Sequence, residues 1–199
     1  MNYISDILYW ISTGLLVPVI ILLILFFCRA LLLIGNFFGQ YLAIRRTKSL
    51  IAKELDALNK DNVLTLIDKL PKKNPSLVVI YLNRLISADS SAMRQRLLSD
   101  FEISADKDLS TSKILGKMGP MLGLMGTLIP MGPALVGLST GDIASMAYNM
   151  QVAFATTVVG LFSAAIGFIT QQVKQRWYLQ AMNDLEFVAD LLNQKYGEK

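Results

Sequence analysis

Five side chains able to handle an ion lie in strongly apolar surroundings: Thr127, Asn149, Thr156, Thr157 and Ser163. Thr127 interrupts the stretch GLMGTLIPMGP (123–133), inside a run with no charge from Met118 to Gly141. Asn149, Thr156, Ser163 and Thr170 recur at intervals of seven within a second uncharged run, Ile143–Val173. On a helix that spacing draws a thin polar line down one side. Hydroxyls and carboxamides can orient water or coordinate a sodium ion, but a threonine does not titrate near neutral pH. Neither run contains an acid or a base, whereas intramembrane ion pathways usually display ionisable groups. A proton or sodium ion crossing here needs a titrating carboxylate from another chain, so a complete pore in one subunit is not expected.

The residues around these hydroxyls are small. Gly116, Gly119, Gly123 and Gly126 follow one another at steps of three, four and three, which puts them on one helix face. Small residues let membrane helices approach closely, as in the GxxxG pattern of Gly119 and Gly123. Ala153, Thr157, Gly160, Ala164 and Gly167 draw a matching small-residue line beside the polar one. Pro130 and Pro133 each remove a backbone donor and free a carbonyl, which predicts a kink. Two readings stand on spacing alone: the hydroxyls bond their own helix while the small residues pack, or this side faces a narrow wet path or a partner helix.

Composition sets the solvent. Of 199 residues 53% are hydrophobic and 17% charged, against about 25% charged in soluble domains, so the chain is expected in a bilayer. The basic residues are scattered and form no aromatic-basic groove, which excludes nucleic acid as the reason for the +4 charge. One cysteine, Cys28, and no histidine exclude an internal disulfide and zinc-type sites. A P-loop lysine motif, a nucleophile elbow and a histidine for a triad are all missing. An enzyme is therefore not expected, nor is a cofactor or metal.

These runs imply an all-α integral membrane protein with three transmembrane helices, since about 20 apolar residues suffice to span. Ile4, Ile7, Leu8 and Ile11 show amphipathic helical spacing, so residues 1–14 are expected as an outer interfacial helix. The N-terminus lacks the basic region and cleavage site of a signal peptide, and the first apolar segment is expected to stay. Spanning helices are expected at 15–39, 113–138 and 143–172, with an outer turn at 139–142. Helical segments at 40–112 and 173–199 are expected in the cytoplasm. The third apolar run, 31 residues, is about 46 Å long as a helix; it is expected to continue beyond the membrane. Breaks are expected at Lys60–Asn62 and in the PKKNP segment (71–75). Arg45, Arg46, Lys48, Lys113, Lys117, Lys174 and Arg176 flank the spans on one side, whereas the STGD turn has no basic residue. The positive-inside rule then places the N-terminus outside and the C-terminus in the cytoplasm of a multi-pass inner-membrane protein. Arg29, alone inside the first run, either snorkels to headgroups or pairs with an acid.

The two motif-bearing runs resemble the MotA/TolQ/ExbB ion-channel proteins. GPMLGLMGTLIPMGPAL resembles the family's G-x-x-G-T-(V/L/I) helix, with Thr127 at its characteristic threonine. MQVAFATTVVGLFSAAIGF resembles its A-x-x-T-T-x-x-G-(L/V) helix, with Thr157, three before Gly160, at the second. The order of spans is similar too. The resemblance implies a ring, typically a pentamer, around two copies of a single-span MotB/TolR/ExbD-like partner whose aspartate carries H+ or Na+. It also implies force or rotation driven by ion-motive force. Val152 stands where ExbB and TolQ carry a glutamate, and the large insert of flagellar MotA is missing. Pro130 and Pro133 depart from the family pattern as well. The rival readings are a non-conducting scaffold of the same fold and an unrelated small transporter; repeated halves or charged midplane sites would mark the transporter.

Overall fold

The computed structural model describes residues 2–56 and 76–197, with the side chains of 3–4, 7–42 and 76–197. Among the described residues five helices follow in order: α1 (Asn2–Gly14), α2 (Leu16–Asp56), α3 (Leu77–Ile86), α4 (Ser91–Thr140) and α5 (Ile143–Tyr196). Among the described residues there is no strand. Three of the helical segments are long and apolar enough to cross a membrane, so the protein is an all-α membrane protein with three spanning helices. The breaks expected at Lys60–Asn62 and 71–75 lie outside the described residues.

Local chemistry explains the helix ends. Pro18 sits in the first turn of α2, where its missing N–H costs no intrahelical bond. Ser90 Oγ accepts the Met93 N–H at 3.3 Å and opens α4. At the other end of α4, Gly141 takes φ 77°, a backbone region open to glycine at little cost. The Asp142 N–H then reaches the Gly137 carbonyl at 2.8 Å and the Gly141 N–H reaches Leu138 at 3.2 Å, the two bonds that close a helix C-terminus. Asp142 Oδ1 accepts the Ser145 N–H at 3.0 Å and starts α5. The S-T-G-D sequence is thus a complete stop-and-start signal.

The chain divides into two compact units. The first comprises residues 1–35 and 111–171. In it Val19 and Leu23 of α2 share a buried cluster with Leu122 and Ile129 of α4. Seven residues along α2, Ala30 and Leu33 share another with Leu115 and Ile166. Phe27 adds a ring contact to Phe162 at 5.9 Å. Outward, Leu22, Leu25, Leu32, Leu124, Leu128, Phe154, Val158 and Leu161 are all exposed. Water would not tolerate so continuous an apolar surface on a monomer; lipid does.

The second unit comprises residues 36–110 and 172–199. Its core joins Val79, Leu82 and Leu85 of α3, Phe101 of α4, and Leu185, Val188 and Leu192 of α5. Tyr81, Phe101 and Tyr178 meet edge to face at 5.4 and 6.2 Å. Arg94 is buried to 1% exposure, which is affordable because its charge is spread over good partners. Its Nε donates to Asn193 Oδ1 at 2.7 Å, its Nη1 to the Ala88 carbonyl at 2.9 Å, and it lies over the Tyr196 ring.

Candidate ion-handling site

The site is built on the seam between α4 and α5 in the first unit, and glycine sets how close the two helices come. A Cβ placed on Gly119 would stand 2.7 Å from the Gly160 carbonyl oxygen. One placed on Gly160 would stand 2.7 Å from the Gly119 oxygen and 2.9 Å from the Gly123 Cα. Real Cβ atoms do not come so near to backbone, so both helices need hydrogen at these points. Further along, a Cβ on Gly126 would meet Thr156 at 2.6 Å, and one on Gly167 would meet the Gly116 nitrogen at 2.7 Å. The glycine face of α4 and the small-residue line of α5 are therefore the two halves of one interface.

The hydroxyls fall into two groups. Thr156 and Ser163 are buried, at 8% and 0% exposure. Their protons go to carbonyls of their own helix, from Thr156 to Val152 and Ala153 at 3.0 and 2.9 Å, and from Ser163 to Val159 at 2.8 Å. Asn149 likewise gives its amide to the Ser145 carbonyl at 2.9 Å. Fourteen residues separate Asn149 from Ser163, about 21 Å of helix, so the seam does not gather these three into one cluster.

Thr127 and Thr157 differ in being only partly buried. Thr127 Oγ1 donates to Leu124 at 2.7 Å. Thr157 Oγ1 shares its proton between the Ala153 carbonyl at 3.3 Å and, across the seam, the Gly123 carbonyl at 3.4 Å. Gly123 lies about one turn before Thr127 on α4, so the structure brings the two motif threonines to the same stretch of the seam. Each hydroxyl has one proton, already donated, and oxygen lone pairs left to accept. Such a pair can receive a hydrogen bond from water, hydronium or a protonated carboxyl.

Helix α4 runs through Pro120, Pro130 and Pro133. Pro130 is fully buried; with no N–H of its own it gives the Gly126 carbonyl no partner one turn on. Gly126 itself precedes Thr127 directly on α4 and packs against Thr156.

One polar cluster is not legible in the sequence. In the second unit Lys174 Nζ donates to Asp108 Oδ2 at 2.8 Å and the Tyr178 hydroxyl donates to the same oxygen at 2.7 Å. In the sequence Lys174 is only a flanking cation, yet its side chain is 4% exposed. A buried ammonium left alone would cost about 3–5 kcal/mol, so Asp108 is what permits it. Burial, then the hydrogen bond to Asp108, then the charge of Asp108 hold the Tyr178 phenol above its ordinary value. It therefore stays protonated and remains a donor. The available signal was register: Gly160, Gly167, Lys174, Ala181 and Val188 recur at sevens, and all are buried.

The family model described as the MotA/TolQ/ExbB proton channel family matches residues 81–186, which takes in both glycine lines and both threonines. No curated protein matches the chain significantly.

Proposed function

From the premise that the chain belongs to the MotA/TolQ/ExbB proton channel family, we propose that it is the ring subunit of an ion-driven motor. It would conduct H+ past Thr127 and Thr157 and convert ion-motive force into movement of a partner. One observation carries this reading. The uncharged runs of α4 and α5 offer accessible hydroxyls but no acid, so the group that takes up and releases the ion must be brought in. A single-span MotB/TolR/ExbD-like chain with an aspartate just inside its helix supplies it. Thr156, Ser163 and Asn149, whose donors are spent on their own helix, stand behind the motif pair as the rest of the polar line. Both hydroxyls would also suit Na+, but a proton is the ion the family description names.

The exposed side of α5 supports an oligomer. An open apolar trough of about 790 Å³ runs along Ala147, Met150, Gln151, Phe154, Ala155 and Val158. Its small residues alternate with large ones, as a neighbouring helix requires. A pentamer around two partner chains is the arrangement we assign. The basic flanks put the N-terminus outside and residues 40–112 and 173–199 in the cytoplasm of an inner-membrane protein.

The test is native mass after co-expression with such a single-span protein in mild detergent. Five copies with two partner chains is the expected result. A monomer, or a small oligomer that leaves the partner unbound, would remove the ring.

A further inference from the structure

Arg29 is the one charge inside the first apolar run, and the ion path makes no use of it. It is exposed, and among the described residues it has no hydrogen bond, ion pair or ring contact. Its same-face neighbours one turn before and after, Leu25 and Leu32, are exposed as well, at 57% and 70%. This side of α2 therefore presents apolar surface, a guanidinium, and apolar surface again.

The packing fixes the depth of that guanidinium. On α2, Leu23 shares a cluster with Leu122 of α4, and seven residues later Ala30 shares one with Leu115, seven residues earlier. The two helices are antiparallel in constant register, so Arg29 stands level with Gly116 and Lys117. Lys117 is itself exposed and is the last charge before the uncharged run of α4. Arg29 thus belongs to the layer where α4 leaves the hydrocarbon, and its side chain is long enough to reach headgroups from there.

We propose that Arg29 is a binding site for the phosphate of a membrane phospholipid, with anionic lipids preferred. The arginine fork matches a phosphate in two parallel charge-assisted bonds, and the flanking leucines take the acyl chains. From this depth the guanidinium extends to the headgroup layer, and a lipid phosphate is the counter-charge that layer supplies. The proposal rests on the membrane placement of α2 and not on conduction, so a protein that fails to conduct leaves it standing.

The test titrates phosphatidylglycerol, and separately phosphatidylcholine, into delipidated protein in a non-ionic detergent, with bound lipid counted by native mass. Wild type should bind phosphatidylglycerol more tightly than phosphatidylcholine. Arg29→Gln should weaken phosphatidylglycerol about fivefold, the scale of one cation at an anionic surface. Arg29→Lys, which keeps the charge without the fork, should fall between, and inorganic phosphate should not compete. Equal binding by wild type and Arg29→Gln would overturn the proposal. So would an Arg29→Gln protein that loses its oligomeric state while Arg29→Lys binds lipid like wild type, because that pattern marks an acid on a neighbouring chain as the partner.

Discussion

Gly160→Val separates α4 from α5 and leaves no monodisperse protein in detergent. The side chain would enter where even a Cβ stands 2.7 Å from the Gly119 oxygen and 2.9 Å from the Gly123 Cα. Both obstacles are backbone, so no rotamer relieves them and the helices must move apart. Overpacking a tight core costs typically about 1–3 kcal/mol, and here the displacement runs along a whole helix pair. Gly160→Ala, the smaller intrusion, should leave monodisperse protein but lower the temperature at which it loses monodispersity. Gly35→Ala is the control, because a Cβ there meets nothing within 4 Å; removing a helix-interior glycine should leave stability equal or raise it by about 0.5–1 kcal/mol. Equal tolerance at both positions would mean that the seam is looser than described.

Thr157→Val and Thr127→Val should do the opposite, leaving assembly intact and reducing proton flux about tenfold or more, an effect of about 1.4 kcal/mol on a barrier. Valine keeps the shape of threonine but not its hydroxyl. At Thr157 the bonds lost are long, 3.3 and 3.4 Å to two carbonyls, so little stability depends on them. At Thr127 the bond lost returns to the same helix one turn back. What vanishes at both positions is the accessible oxygen that could accept a proton-bearing group. Flux measured with a pH-sensitive dye inside vesicles reads this directly, and native mass of the same samples reports assembly. Loss of the complex in both variants would make the threonines packing residues instead.

Much of this arrangement can be read from the chain because the signals are local. Gly141 and Asp142 end one helix and begin the next through bonds within five residues. The glycine steps of α4 and the small line of α5 each name a face, and two faces built of hydrogens and methyls fit only one another. The polar line was different. Hydroxyls repeating at sevens look the same whether they face water or a seam, and only the packing shows Thr156 and Ser163 turned inward. Long-range polar pairs were equally hidden. Lys174 meets Asp108 across 66 residues, and Arg94 meets Asn193 across 99; nothing near either residue announces its partner. Proline chemistry predicts a freed carbonyl at Gly126, but only the packing shows that Pro130 is buried.

The central claim is that this chain lines an ion path whose titrating acid belongs to a partner. Proton uptake into vesicles tests it most directly, with wild-type protein reconstituted alone or with a single-span protein bearing the helix aspartate. Negligible uptake by the chain alone and uptake restored by the partner is the predicted result. Equal uptake with and without the partner would contradict the account, since two runs without an acid or a base would then be conducting unaided.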